Sequence, residues 1–238
     1  MKRTVIAVSI AMLSLVARGA SGAAIDFQGV GKSASVQFSL NATTRTESVG
    51  ELKWGWMGST PTGYTATFYS YCLDLLTFVV DPETVALKST DLLTSSGPYV
   101  NDAGAKAAWL FNTYAPTIHT SGSDFDAAAL QIAIWEAIYD TSANIAGGAF
   151  RLITTGAVAA KATTYLTALY SGPGGTYNKS RATWLDATSG SGQDQLVAMP
   201  APEPASLLLC GIGLAALARQ LRRRSRGSRQ TANRREVV

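Results

Sequence analysis

Cys72 and Gln131 stand 59 positions apart, and their side chains could react with one another. A thiol and a carboxamide can condense to a thioester with release of ammonia. In water the bond does not last, because water or any amine undoes it. It becomes accessible when a fold presses the sulfur against the amide carbon and apolar side chains exclude solvent. Fixed proximity of this kind supplies roughly 7–11 kcal/mol of barrier reduction. The neighbours suit that demand, since Cys72 follows Phe68, Tyr69 and Tyr71, and Gln131 lies one helical turn before Trp135. Two other readings stand beside it. A cysteine in a strand is commonly a small buried hydrophobe, and a helical glutamine commonly bonds locally. Cys72 could also act as a nucleophile with the chain's single histidine, His119, as its base.

The elements that must position these residues are legible in the hydrophobic period. From Ile25 to about Lys88 the period is near two. Val36, Phe38 and Leu40 alternate with Gln37 and Ser39, Trp54 and Trp56 flank Gly55, and Ala66–Leu73 is rich in aromatic and β-branched residues. Thr77–Val80 and Thr84–Lys88 read as a hairpin around Asp81-Pro82-Glu83. From about Asp102 the period becomes helical. Lys106–Ala115 reads as a short helix ended by Pro116, with His119 in the loop that follows. Phe125–Asp140 is a second helix, started by a capping box of Ser123 and Asp126 and apolar nearly all round, which predicts burial. Gly156–Tyr170 is a third, and Trp184-Leu185 and Gln195-Leu196-Val197 read as returning edge strands. Strands followed by helices predict an α+β fold: an N-terminal antiparallel sheet or sandwich packed against about three helices. A carboxamide in the middle of a buried helix needs partners, because leaving it unpaired costs roughly 1–3 kcal/mol.

The two ends have a different character. Lys2 and Arg3 precede a twelve-residue apolar run, Val5–Val16, and then small residues, so 1–23 reads as a secretory signal peptide cut near Ala23 or Ala24. Residues 24–188 form the expected domain and 189–201 a linker. Pro202-Glu203-Pro204 then leads into an apolar stretch, Ala205–Ala218, followed by Arg219, Arg222, Arg223, Arg224, Arg226 and Arg229. The stretch is shorter than the roughly 20 residues a spanning helix wants, but flanking arginines and Leu221 can extend it, and the arginines should stay cytoplasmic. The ends hold the positive charge. Residues 24–204 carry nine basic and fifteen acidic side chains, a net of −6 against +4 for the whole chain. An acidic middle argues against nucleic-acid binding. One histidine, and one cysteine once the tail is removed, cannot build a zinc shell. With no phosphate loop either, no metal or other cofactor is expected. Asp124, Asp126 and Asp140 read as helix-end residues rather than a calcium site.

Pro202-Glu203-Pro204, an apolar helix and an arginine cluster, in that order over 202–238, resemble the PEP-CTERM sorting signal of bacterial surface proteins. The resemblance implies that the tripeptide is read by exosortase, a membrane protease. It also implies a precursor anchored in the inner membrane of a Gram-negative bacterium, bound for the cell surface or for the extracellular matrix of a biofilm. Tyr71-Cys72-Leu73-Asp74 and Leu130-Gln131-Ile132-Ala133-Ile134-Trp135 resemble the two motifs of bacterial thioester domains, and Ala108-Trp109-Leu110 with Tyr114 resembles the helix that precedes the second. This second resemblance covers roughly residues 65–140. It implies that Cys72 and Gln131 are the bonded pair, with Tyr71, Asp74 and Trp135 as their surroundings. It further implies single-turnover covalent capture, rather than catalysis, of an amine-bearing protein or a surface polysaccharide. A purely structural matrix protein, and third a Cys72–His119 hydrolase, remain alternatives.

Overall fold

The computed structural model describes residues 22–93, 98–172 and 176–200. Its strands are β1 (Ala23–Leu40), β2 (Thr43–Met57), β3 (Thr67–Cys72), β4 (Glu83–Ser89), β5 (Phe150–Leu152), β6 (Ala182–Ala187) and β7 (Gln195–Ala198). Its helices are α1 (Ala103–Ser121), α2 (Asp124–Tyr139) and α3 (Ala157–Ser171). The fold is α+β, mostly antiparallel sheet with three helices.

β1 and β2 form a long hairpin whose two turn residues, Asn41 and Ala42, have φ of 49° and 67°. Two positive φ values are what a tight turn needs to match the twist of the strands, and Asn tolerates the first readily. The sheet order is β2-β3-β7-β6-β4-β1-β5, and β1 also pairs with β2. Ala24 pairs with Thr84 of β4 on one side and with Met57 of β2 on the other. Six strands therefore close a ring of antiparallel pairings, with β5 on the far end of β1. This is one curved sheet rather than a sandwich of two.

α2 is the inner helix. Every residue from Ala127 to Tyr139 is buried, and the helix packs against α1, α3, β1, β2 and β5. Its capping box is made in both directions. Ser123 Oγ accepts from the Asp126 N–H at 3.2 Å, and an Asp126 carboxylate oxygen accepts from the Ser123 N–H at 2.9 Å. The bond from the Ser123 N–H, with help from the Ser123 hydroxyl and Lys161 and against the opposing effect of burial, holds the Asp126 carboxyl down to about 2.

Several sequence expectations need correction. α1 does not stop at Pro116 but runs through it to Ser121, so His119 lies in its last turn rather than in a loop. Pro116 sits on the exposed face, where solvent can take the Asn112 carbonyl that proline leaves without a donor. Thr77–Val80 is not a strand, and β4 pairs with β1 and β6 instead of a local hairpin partner. β6 and β7 are interior strands of the ring, and β7 falls within the segment read as a linker. The signal peptide and Pro202, Glu203 and Pro204 with the apolar tail helix lie outside the described residues.

Candidate functional site: the Cys72–Gln131 junction

β3 alternates its side chains across the sheet, so Ser70 and Cys72 share one face while Tyr69 and Tyr71 share the other. Cys72 is the last residue of β3, and Gln131 comes to it from the middle of α2. The Gln131 side chain is 1% exposed. Its Oε1 accepts from the Cys72 N–H at 2.7 Å, and its Nε2 donates to the Cys72 carbonyl at 2.7 Å. The carboxamide thus takes the place of a neighbouring strand at this residue. The Leu73 N–H turns to the carbonyl of Asp194 at 2.9 Å. Two helical turns after Gln131, the Tyr139 hydroxyl accepts from the Leu75 N–H at 3.0 Å. α2 therefore grips the chain on both sides of Leu73-Asp74.

The thiol has partners of its own. Cys72 Sγ donates to Gln193 Oε1 at 2.8 Å, and Gln195 Nε2 lies 3.9 Å from the sulfur. Gln195 Oε1 accepts from Ser70 Oγ at 2.7 Å, which in turn accepts from Trp54 Nε1 at 2.9 Å. Gln193 Nε2 donates to the Asp74 carbonyl at 2.8 Å. Burial pushes the thiol up to about 12, against the opposing pull of the Gln195 amide and with a further push from Asp74. Desolvation decides the outcome, and the sulfur is a neutral thiol at physiological pH.

A cleft of about 270 Å³ opens on Cys72. Phe38, Leu52, Phe78 and Trp135 form its apolar walls, with Arg45 and Glu47 as its charged members. Arg45 is fixed there, donating to the Leu75 carbonyl at 3.0 Å with its guanidinium 5.0 Å above the Phe78 ring. Trp135 packs on Phe38 with ring centroids 5.1 Å apart. Cys72 thus lies beneath a small, mostly apolar opening, with the Gln131 carboxamide bound to its backbone.

The remaining candidates divide. Asp74 does not touch the thiol; its carboxylate accepts from the Leu76 N–H at 2.6 Å and the Thr77 hydroxyl at 2.7 Å, closing the turn after β3. Tyr71 faces away from Cys72, edge-on to Phe111 with ring centroids 6.0 Å apart. His119 lies on that same far side, with Nδ1 3.5 Å from Glu51 and its ring 4.3 Å from that of Tyr69. Its imidazole is not among the partners of the thiol. Asp140 serves the backbone, accepting from the N–H groups of Ala149 and Phe150 at 2.9 and 2.8 Å. Sequence reasoning missed Gln193, Gln195 and Tyr139. Gln193 and Gln195 had one signal, a glutamine on each side of Asp194 directly before the apolar Leu196-Val197.

Residues 200–224 match the PEP-CTERM protein-sorting motif. The motif marks an exported protein with a membrane-anchored precursor stage, processed by exosortase on the way to the cell surface. No curated protein matches the chain in sequence. Among solved structures, the fold is similar to the N-terminal thioester domain of fibronectin-binding protein SfbI from Streptococcus pyogenes. That match is 12% identical with a TM-score of 0.41, over 70% of this chain and 93% of that one. The fold is also similar to the N-terminal domain of the Streptococcus pyogenes pilus tip adhesin Cpa, again 12% identical, with a TM-score of 0.44 over 73% of this chain and 96% of that one.

Proposed function

We propose that this exported protein attaches itself covalently to a partner at the cell surface through a thioester between Cys72 Sγ and the side-chain carbonyl carbon of Gln131. One observation carries the reading: a buried carboxamide is hydrogen-bonded to both backbone groups of the cysteine. In the forming step the sulfur attacks the amide carbon of Gln131. Negative charge gathers on Oε1, where the Cys72 N–H already donates and stabilises it. The C–N bond breaks, and the thiol proton leaves with the nitrogen as ammonia, so no outside acid or base is consumed. The apolar cleft keeps water from the bond. In the capture step an amine on the partner attacks the same carbon through the cleft, an amide forms at position 131 and the Cys72 thiol is released. The partner is an amine-bearing protein or amino sugar in the matrix around a Gram-negative cell; Trp135 walls the cleft it enters, Asp74 closes the turn after the cysteine, and Tyr71 stands on the opposite face of β3. Each molecule reacts once, so the activity is capture rather than turnover.

The same pair of bonds would also suit a carboxamide that only pins α2 to β3, as in a structural matrix protein. Mass spectrometry separates the two. The freshly purified, amine-free protein is expected to weigh one ammonia less than its sequence. Methylamine should add at Gln131 and free the Cys72 thiol in the same step. Cys72→Ala and Gln131→Ala should each restore the full mass. A full mass with glutamine intact at position 131 would exclude the thioester, whereas glutamate at that position would record one that had hydrolysed.

A further inference from the structure

On the far side of β3 from Cys72 lies a second, larger cleft of about 560 Å³, walled by Tyr64, Phe68, Tyr69 and Phe111. A carboxylate lies in it. Glu51 lines the cleft but is only 2% exposed, and it follows Gly50, where the β1 and β2 backbones come close. At Gly50, φ is 147°, and a Cβ would lie 2.2 Å from the Lys32 carbonyl. A buried carboxylate normally answers a cation. Among the described residues no Lys or Arg nitrogen lies within 4.0 Å of Glu51, and its ion-pair contact is the half-exposed His119 at 3.5 Å. Lys32, on the adjacent hairpin, instead donates its ammonium to the carbonyls of Ile118 and His119 at 2.7 and 2.8 Å. Tyr71 also lines the cleft, its hydroxyl buried near Glu51 and without a hydrogen-bond partner among the described residues.

These features define the ligand. A carboxylate repels anions. A neutral sugar needs polar partners around its whole ring, whereas here they gather at Glu51, Tyr71 and His119 and the walls are aromatic. Aromatic faces beside a carboxylate attract a positive charge carried on an apolar body. The first charged residue after Pro200, which lines the cleft, is the acidic Glu203. We infer that the cleft is a binding site for an organic ammonium ion, its charge against Glu51 and its apolar part against the aromatic walls. The site is independent of the thioester, which lies under the other cleft.

Calorimetric titration of the full chain in lipid nanodiscs with benzyltrimethylammonium tests the inference. A quaternary ammonium cannot be acylated, so the result does not depend on whether the thioester forms. Saturable one-to-one binding is expected, at least about tenfold tighter than benzyl alcohol, the size of a cation–aromatic and charge contribution in a partly desolvated site. Glu51→Gln should abolish that preference, and Cys72→Ala should leave it unchanged. Trp56, stacked on Phe68 with ring centroids 4.8 Å apart, should report the same event in its fluorescence. Equal affinity for benzyl alcohol and the cation in the unaltered chain would overturn the proposal without recourse to any variant. So would an unchanged preference in Glu51→Gln, saturable binding of a methyl glycoside in the cation's place, or no saturable binding at all.

Discussion

Glu136 is fully buried on α2, and among the described residues neither of its carboxylate oxygens has a hydrogen-bond partner. Burial, and secondarily Asp140, push it up to about 8 from an ordinary value of 4.5. Between those two values the folded protein holds a proton that the unfolded chain has lost. The sign follows directly: the neutral acid's contribution is fully present below 4.5 and is lost as pH rises through about 8. Asp194, also raised by burial, to about 6, adds a slope of the same sign over a lower window. Comparison with Glu136→Gln isolates the higher one. Urea midpoints measured from about pH 5 to about pH 9 should fall less steeply in this variant, which should be the more stable protein above about pH 8. Parallel curves would show that Glu136 finds partners that relieve its charge.

At the scale of elements, α2 holds the exit of β3 at two points, Gln131 on Cys72 and Tyr139 on Leu75. Tyr139→Phe keeps the ring packed against Tyr99, with centroids 5.5 Å apart, but strands the Leu75 N–H. A loss of about 1–3 kcal/mol is expected in urea unfolding. If the grip also seats the cysteine, methylamine labelling should slow in this variant as well. α2 itself was legible because its signals are local: the Ser123–Asp126 cap and an apolar run too long for a strand. α3 was legible for the same reason, a helical period stopped by glycines. α1 was misread at Pro116 because the rule that proline ends a helix assumes a buried carbonyl behind it, and this proline is exposed. β7 was read as a returning edge strand from Gln195-Leu196-Val197, but its place inside the ring was hidden because Gln193-Asp194-Gln195 has the composition of a linker. Its polar groups are instead used inside, around the sulfur and against β6, where the Asp194 carboxylate accepts from the Ala187 N–H at 2.9 Å. Pairing between strands more than a hundred positions apart leaves no local trace, so the ring of strands and the two glutamines at the thiol, Gln193 and Gln195, could not be read from composition.

At the scale of the whole molecule, the chain separates a neutral-to-acidic folded unit from basic ends. Residues 24–204 carry a net charge of −6, while the eight arginines beyond Ala205 are opposed by Glu236 alone. That asymmetry is what a stop at the membrane requires, since positive side chains following an apolar stretch stay on the cytoplasmic side and the acidic unit meets no such barrier to export. The last strand among the described residues, β7, ends at Ala198, and the sorting motif begins at residue 200. β7 is an interior strand of the ring, so the described sheet reaches almost to the motif, with Met199 alone between them. Two consequences can be checked in the native host. Peptide mapping of surface protein should recover β7 but not Arg222-Arg223-Arg224, and recovery of those arginines on most surface copies would rule out processing. Glu203→Ala should leave full-length precursor in the membrane fraction while β7 and the urea midpoint stay unchanged, because position 203 follows the last residue of β7 in the sequence. A precursor that accumulates with lowered stability would point instead to a tail that contributes to the fold.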